Sequence, residues 1–513
     1  MRLPRHVALG LVAAAGCNQI WGLDQVDLAD QPDKKTRIRL QLQIARTTDE
    51  GYADPTLEYR VLQPPPVIQL GLVGEPLAED VYRPDDGGTI SYSTTFVGQR
   101  WRLAYTLAGG VPREVQWSPP AEDQLPLLVE PLVGRAERLP VPAGSGYAIT
   151  PLGSPLSHTQ PRVFTTGLWT ESAFSGTSPG ATFNYDFGAN AVSQSGLLGA
   201  PEPARGDHGV LADYKNLNGC RVTSGVAVFG VPDLVAGQLT APSPQPTYFS
   251  ADKQVRLTFA GSPVGARLQA LLGDRAAPAD LLRMEYGYAP SLGISGFTRP
   301  APTPVLDFFL PGPPMIAFAN CTFAPMQLFQ TESFADSPEL TERFFRVVHV
   351  EAANQRVRGA LTLTSGFAAV VTSSDYNFFT DFTVAAPRKV VLSRAGSQLA
   401  DLDDLTQEAE PLALGAEPLE LSFGIESGST LVTDSFDVTL YSIAGSALTA
   451  ERIYTSTERK LSIDPSLLRP GTEYVFELRA YRGRPSAARA DFSIHTYPQY
   501  VASIFTRTFK TAP

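Results

Sequence analysis

Glycine and proline punctuate this chain at a density that few architectures tolerate. There are 43 of one and 44 of the other in 513 residues, about one residue in six, against roughly 12% in average usage. Proline inside a helix removes a hydrogen bond and clashes with the preceding turn, and glycine there costs about 1 kcal/mol relative to alanine. Coiled coils, long helical bundles and helical solenoids are excluded on that ground. Hydrophobic residues still make up 43% of the chain, enough to build packed cores and to exclude wholesale disorder. What survives is a fold of short extended segments joined by turns.

Period-two alternation supplies those segments. Thr36-Arg37-Ile38-Arg39-Leu40-Gln41-Leu42-Gln43-Ile44 alternates polar with apolar, as a half-buried strand must. Leu57 to Leu62, Val67 to Val73, Thr89 to Ser93 and Trp101 to Thr106 follow, and the Pro/Gly-rich run from Pro140 to Pro155 marks a boundary. Residues 36–150 therefore read as one β-sandwich domain. Residues 151–385 carry further strands: 162–166, 181–187, 222–231, 255–259, 306–310, 346–351, 361–364 and 367–372. They read as one large sandwich or two smaller ones, with helices expected only at Pro263 to Leu272 and, behind a Ser337 cap, at Pro338 to Arg343. Residues 386–513 form a linker and a last domain. The fold class expected is all-β, several β-sandwich domains in series.

The first sixteen residues are set apart from all of this. Met1-Arg2-Leu3-Pro4-Arg5-His6 is basic, Val7 to Ala15 is a nine-residue apolar run, and Ala14-Ala15-Gly16-Cys17 follows. Nine residues span only about 14 Å as a helix, half a bilayer's hydrocarbon, so the run is a signal h-region and not an anchor. Cysteine directly after Ala-Gly resembles the lipobox of bacterial lipoproteins, with Ala14 where that family usually carries Leu, Val or Ile. The resemblance implies that residues 1–16 are a signal peptide and that the Cys17 thiol takes a diacylglyceryl group before cleavage. It further implies that residues 17–35 are a lipidated tether. Asn18, not Asp, follows the cysteine, which by the rule of enteric bacteria implies the outer membrane. Ile20-Trp21-Gly22-Leu23-Asp24 resembles the stretch after the lipidated cysteine in many predicted myxobacterial lipoproteins.

With Cys17 acylated, Cys220 and Cys321 remain in an oxidising compartment, where they either pair as a disulfide or stay as two separate buried thiols. Cys-x-x-Cys spacing and Cys/His clusters are absent, so the sequence supports no structural zinc, and no metal or cofactor is expected.

The last hundred residues are the most legible. Leu419 to Phe423, Phe436 to Tyr441 and Tyr474 to Ala480 alternate cleanly. Leu468-Arg469-Pro470-Gly471-Thr472-Glu473-Tyr474 resembles the Leu-x-Pro-x-Thr-x-Tyr run that enters strand F of fibronectin type III domains. The resemblance covers residues 411–511, with Phe423 where that family usually has a core tryptophan. It implies an immunoglobulin/fibronectin III-like sandwich in which Tyr474 forms the tyrosine corner, its hydroxyl bonded to backbone upstream.

Charge and motifs narrow the function further. The net charge is −11, and removing residues 1–16 takes away Arg2 and Arg5 and no acid, so nucleic-acid partners are excluded by repulsion. The densest basic stretches, Tyr481 to Arg484 and Pro387 to Lys389, carry only two charges each. Gly176-Thr177-Ser178-Pro179-Gly180 matches the nucleophile-elbow string, but a strand follows where the elbow needs a helix, so it reads as a hairpin turn. Arg205-Gly206-Asp207 reads as an exposed turn. Asp401-Leu402-Asp403-Asp404 lacks the spacing of a calcium loop and reads as a solvated acidic linker. His158, His208, His349 and His495 stand apart, none at ligand spacing from another. No catalytic residue is singled out. The chain reads as a non-enzymatic, lipid-anchored envelope protein that meets the membrane through its lipid and serves in adhesion, binding or structure, with an envelope protein or polysaccharide as partner. The competing reading is a glycan-binding or glycan-cleaving surface protein: exposed Trp101, Trp117 or Trp169 would favour binding, and a pocket with two facing carboxylates about 5–10 Å apart would favour cleavage.

Overall fold

The computed structural model describes the strands named below between residues 36 and 371, with the adjoining loops at 139–153, 180–187, 200–205 and 231–247. It also describes most of the C-terminal part: 384–404, 410–425, 432–489 and 499–513. Among these residues the chain is almost entirely β, broken by single 3-10 turns at Pro203–Arg205, Pro465–Leu467 and Ala487–Arg489. The helices expected at 263–272 and 337–343 and the strand expected at 306–310 lie outside the described residues, as do residues 1–35.

The C-terminal unit is a two-layer sandwich. One layer runs Ser397–Asp401, Pro387–Arg394, Leu419–Ile425, Lys460–Ile463, all antiparallel. The other runs Ala447–Ser456, Ser435–Ala444, Glu473–Arg482, Gln499–Phe505, with Phe509–Lys510 continuing along the last edge. Alternation delivers the core: Leu419, Leu421, Leu461 and Ile463 are buried in the first layer, and Val438, Leu440, Phe476 and Leu478 in the second. Each such side chain contributes about 1.5–3 kcal/mol on burial. Phe423 meets Phe436 edge-on in the core, with ring centroids 4.9 Å apart.

Two expectations are corrected here. The acidic stretch at 401–404 is no solvated linker: Asp401 ends a strand of the sandwich, Leu402 is fully buried, and Asp403 accepts a hydrogen bond from the Lys389 amide at 3.0 Å. Residues 361–364 and 367–372, expected as two strands, are one strand, Leu361–Val371. Its Ser365 sits buried mid-strand, with Oγ accepting from the Phe505 amide at 3.0 Å.

The second layer does not stop at its own edges. Ala447–Ser456 pairs in parallel with Arg113–Trp117, which continues to Trp101–Tyr105 and Ile68–Leu72. At the far edge, Gln499–Phe505 pairs with Leu361–Val371 and leads through Phe344–Val357, Leu282–Pro290 and Ile316–Phe323 to the hairpin Cys220–Gly230 with His208–Leu217. The ladder thus crosses positions 150 and 385, where the sequence suggests boundaries.

Directly opposed residues on neighbouring strands share a face, so the register can be read across eight strands. One row is Cys220, Cys321, Met284, Val350, Phe367, Ala502, Ala480, Phe436. The adjacent row on the opposite face starts Arg221, Asn320, Glu285, His349. The first row is the apolar one, and its Phe367, Ala502, Ala480 and Phe436 are buried.

A smaller core lies where Gly146–Ile149, Phe183–Asp186 and Leu239–Thr240 form a three-stranded sheet. Tyr147, Ile149, Phe183 and Tyr185 pack with Val163, Leu211 and Phe229. Gly146 is required there, because a Cβ would stand 2.0 Å from the Tyr185 carbonyl oxygen. Thr36–Ala45 belongs to a separate four-stranded sheet with Leu57–Arg60, Thr89–Tyr92 and Leu128–Leu132.

Candidate functional site

Of the residues singled out in the sequence, Cys17 lies outside the described residues. Cys220 and Cys321 stand directly opposite one another on adjacent antiparallel strands. Tyr474 is fully buried; its hydroxyl accepts from the Arg469 amide at 2.7 Å and donates to the Leu467 carbonyl at 3.4 Å. These two bonds pin the Pro465–Leu467 turn to the start of the next strand. Trp101 and Trp117 oppose each other across two strands and are buried, 6% and 2% exposed. Neither is exposed as a stacking platform, so two of the three tryptophans named for the glycan-binding version are in the core. Trp169 lies in Leu168–Glu171, its side chain outside the described set. Residues 181–182 and the strand Phe183–Asp186 follow the Gly180 turn, so the elbow string leads into a strand and not directly into a helix.

The polar chemistry of the described core lies elsewhere, in two clusters that motif reading missed. In the first, the Glu473–Arg482 strand places Glu477 and Arg479 on one face, two residues apart. Glu477 Oε1 accepts from Arg479 Nε and Ser503 Oγ, both at 2.8 Å. Its Oε2 accepts from Arg479 Nη2 and the Tyr441 hydroxyl, both at 2.9 Å. The two charged side chains are only 1% and 3% exposed. Four donors fill the carboxylate, leaving it no free lone pair with which to take a proton from a substrate. Beside it, Asp437 receives Thr455 Oγ1 at 2.7 Å and Arg484 Nη2 at 3.3 Å, while the Arg484 guanidinium lies 3.7 Å over the Tyr481 ring. The basic stretch 481–484 is thus folded back onto its own sheet.

The second cluster lies on the seam between Arg113–Trp117 and the C-terminal sandwich. Glu114, fully buried, accepts from Gln116 Nε2 at 2.7 Å and Arg452 Nη1 at 2.8 Å. The Gln116 amide also pairs with the backbone of Ser462, donating to its carbonyl at 2.6 Å and accepting from its N–H at 2.9 Å. A side chain thereby plays the part of a strand along the free edge of Lys460–Ile463. Arg102 donates to the Glu75 carbonyl at 2.6 Å and approaches Asp464 to 4.0 Å. Arg100 reaches Glu458 at 2.7 Å and the Lys460 carbonyl. Tyr454, opposite Glu114, is fully buried and its hydroxyl has no hydrogen-bond partner among the described residues. Burial above all, then the Glu114 charge, pushes its pKa well above the usual tyrosine range. Burial opposes ionisation of Asp464, yet hydrogen bonds from Ser466 and the Arg102 charge hold its pKa below the usual carboxylate range.

Both clusters join strands; neither presents an open functional group. Among the described residues, no three His, Cys, Asp or Glu are grouped to hold a metal ion, and no helix is long and apolar enough to cross a membrane. Alternation would have found the first cluster, since Glu-Leu-Arg within a strand puts both charges on one face. That face merely reads as solvated until the strands beyond it are known.

No family model matches the chain, and no curated protein matches it. Among solved structures it is similar to the native conformation of E. coli alpha-2-macroglobulin, at 10% identity and a TM-score of 0.14. The likeness covers 89% of this chain and 27% of that one, so the chain spans about a quarter of that protein, and a score so small carries no argument.

Proposed function

We propose that this chain is a lipid-anchored cell-envelope protein, held at the outer membrane through Cys17, that acts without catalysis as an adhesion, binding or structural module. The observation that carries the reading is the order basic start, nine apolar residues, then Ala14-Ala15-Gly16-Cys17. A thiolate is the strongest nucleophile among common side chains, and two or three acyl chains hold a protein stably where one does not. Residues 18–35 then tether the β-rich body, and an envelope protein or polysaccharide is its partner. The order of strands in residues 387–513, with the Tyr474 hydroxyl bonded to Arg469 and Leu467, supports a fibronectin III-like last unit. Saturation of Glu477 by four donors favours a structural role for this buried carboxylate and its Arg479 partner.

Labelled palmitate tests the anchor. The wild-type chain takes up label and sediments with membranes, whereas Cys17→Ala takes up none. Equal labelling of the two would remove the lipoprotein reading.

A further inference from the structure

We infer that Cys220 and Cys321 form a disulfide between neighbouring strands of one sheet, riveting the hairpin 208–230 to the strands 282–290 and 316–323. Export to an oxidising compartment rests on the function proposed above; the pairing itself rests on register alone.

Leu217 and Cys220 are paired partners, so only Asn218 and Gly219 connect the two strands. In a two-residue hairpin the carbonyl before the loop accepts from the N–H after it, so the Cys220 amide is engaged toward Leu217. The N–H and C=O of one strand residue in an antiparallel sheet point to the same side. The Cys220 backbone therefore turns away from Ile316–Phe323, and the opposed pair Cys220–Cys321 is of the non-hydrogen-bonded kind. Such pairs bring Cα atoms to about 4.5 Å and side chains closest together, inside the window of about 4.4–6.8 Å that a disulfide spans. Sequence separation is no obstacle, since the sheet has already brought the strands together. Both cysteines also belong to the row that ends in buried Phe367, Ala502 and Phe436, the apolar face, where a disulfide suits better than an ionised thiolate.

The chemistry balances with a disulfide-bearing oxidant of the envelope. One cysteine thiolate attacks the oxidant's disulfide and displaces one of its sulfurs as a thiolate. The second cysteine then attacks the mixed disulfide, forming the new S–S bond and releasing the oxidant as a dithiol. Two electrons and two protons pass to the oxidant.

The test is mass spectrometry of unreduced peptides from the mature full chain, with thiols alkylated at lysis and palmitate label read on the same sample. The expected result is the Cys220 and Cys321 peptides joined, and separated after reduction. Joined peptides in an unlabelled chain support the pairing and sink the anchor alone. Alkylated Cys220 and Cys321 in a labelled chain overturn the pairing. Alkylated thiols in an unlabelled chain are resolved by adding glutathione disulfide to the folded protein: joining supports the register, and continued alkylation of both overturns it.

Discussion

The two buried charge clusters answer one physical problem in different ways. Glu477 and Arg479 are neighbours on a single strand, pair bidentately, and borrow Tyr441 and Ser503 from the adjoining strands. Their network closes within the C-terminal unit. Glu114, Gln116 and Arg102 come from the first quarter of the chain and meet Arg452, Ser462 and Asp464 from its end. This second network is less complete, for the Tyr454 hydroxyl and the Arg452 Nε are buried without a partner among the described residues. Charges adjacent in sequence can be satisfied in full by local geometry; charges brought together from opposite ends serve to bind those ends, and leave loose atoms behind.

Removing one half of the closed pair should do most harm. Glu477→Ala leaves the Arg479 guanidinium buried and uncompensated, an effect of about 3–5 kcal/mol, read as a drop in the urea midpoint of the full chain. If the loss were under 1 kcal/mol, the carboxylate would not be holding that charge. Glu477→Gln, which keeps the shape and loses the charge, should fall between the two.

Gln116→Ala attacks the seam instead. It strips two partners from the backbone of Ser462, itself nearly buried, and a buried unsatisfied group costs about 1–3 kcal/mol. The distinguishing readout is local: amide exchange at 460–463 should quicken while exchange at 473–482 changes little. Equal quickening at both would mean the two clusters are one cooperative unit.

The smallest effect belongs to Tyr454→Phe. Its hydroxyl makes no hydrogen bond among the described residues, so the change should be nearly neutral at pH 7. The contrast appears in alkali. Burial and Glu114 raise the folded-state pKa, so the unfolded chain ionises first, near its ordinary value of about 10. The buried neutral phenol therefore contributes its full stability below that pH and loses it as pH climbs toward the raised folded value. Denaturant midpoints from pH 7 to 11 should fall less steeply in the phenylalanine variant; parallel slopes would place the titration elsewhere.

Much of the β-architecture was legible, because alternation reports it directly. Thr36–Ala45, Leu419–Ile425 and Glu473–Arg482 stand within a residue or two of where the pattern puts them. Pro387–Arg394 and Ser397–Asp401 were not read as strands, since Pro387, Lys389 and the acids of 401–404 carry the composition of a loop. Lys389 and Ala395 do adopt positive φ, 52° and 48°, and a bulge separates Arg388 from Val391. Irregular backbone of that kind scrambles the period-two signal. The seam was illegible for a different reason: Gln116 and Ser462 are 346 residues apart, and nothing in either neighbourhood names the other. Opposition of Cys220 to Cys321 likewise depends on the order of strands, which pattern alone does not reveal.

The hook by which Gln116 grips Ser462 sets a timetable. Synthesis runs from the amino end, so the segment 99–118 emerges with its partner strand still hundreds of residues from being made. It can pair early only with itself and with Ile68–Leu72, so the outer edge at Arg113–Trp117 must wait open until nearly the whole polypeptide exists. Contacts this distant in sequence make assembly slow, and a chain cut short before residue 463 would leave that early segment permanently without its clasp.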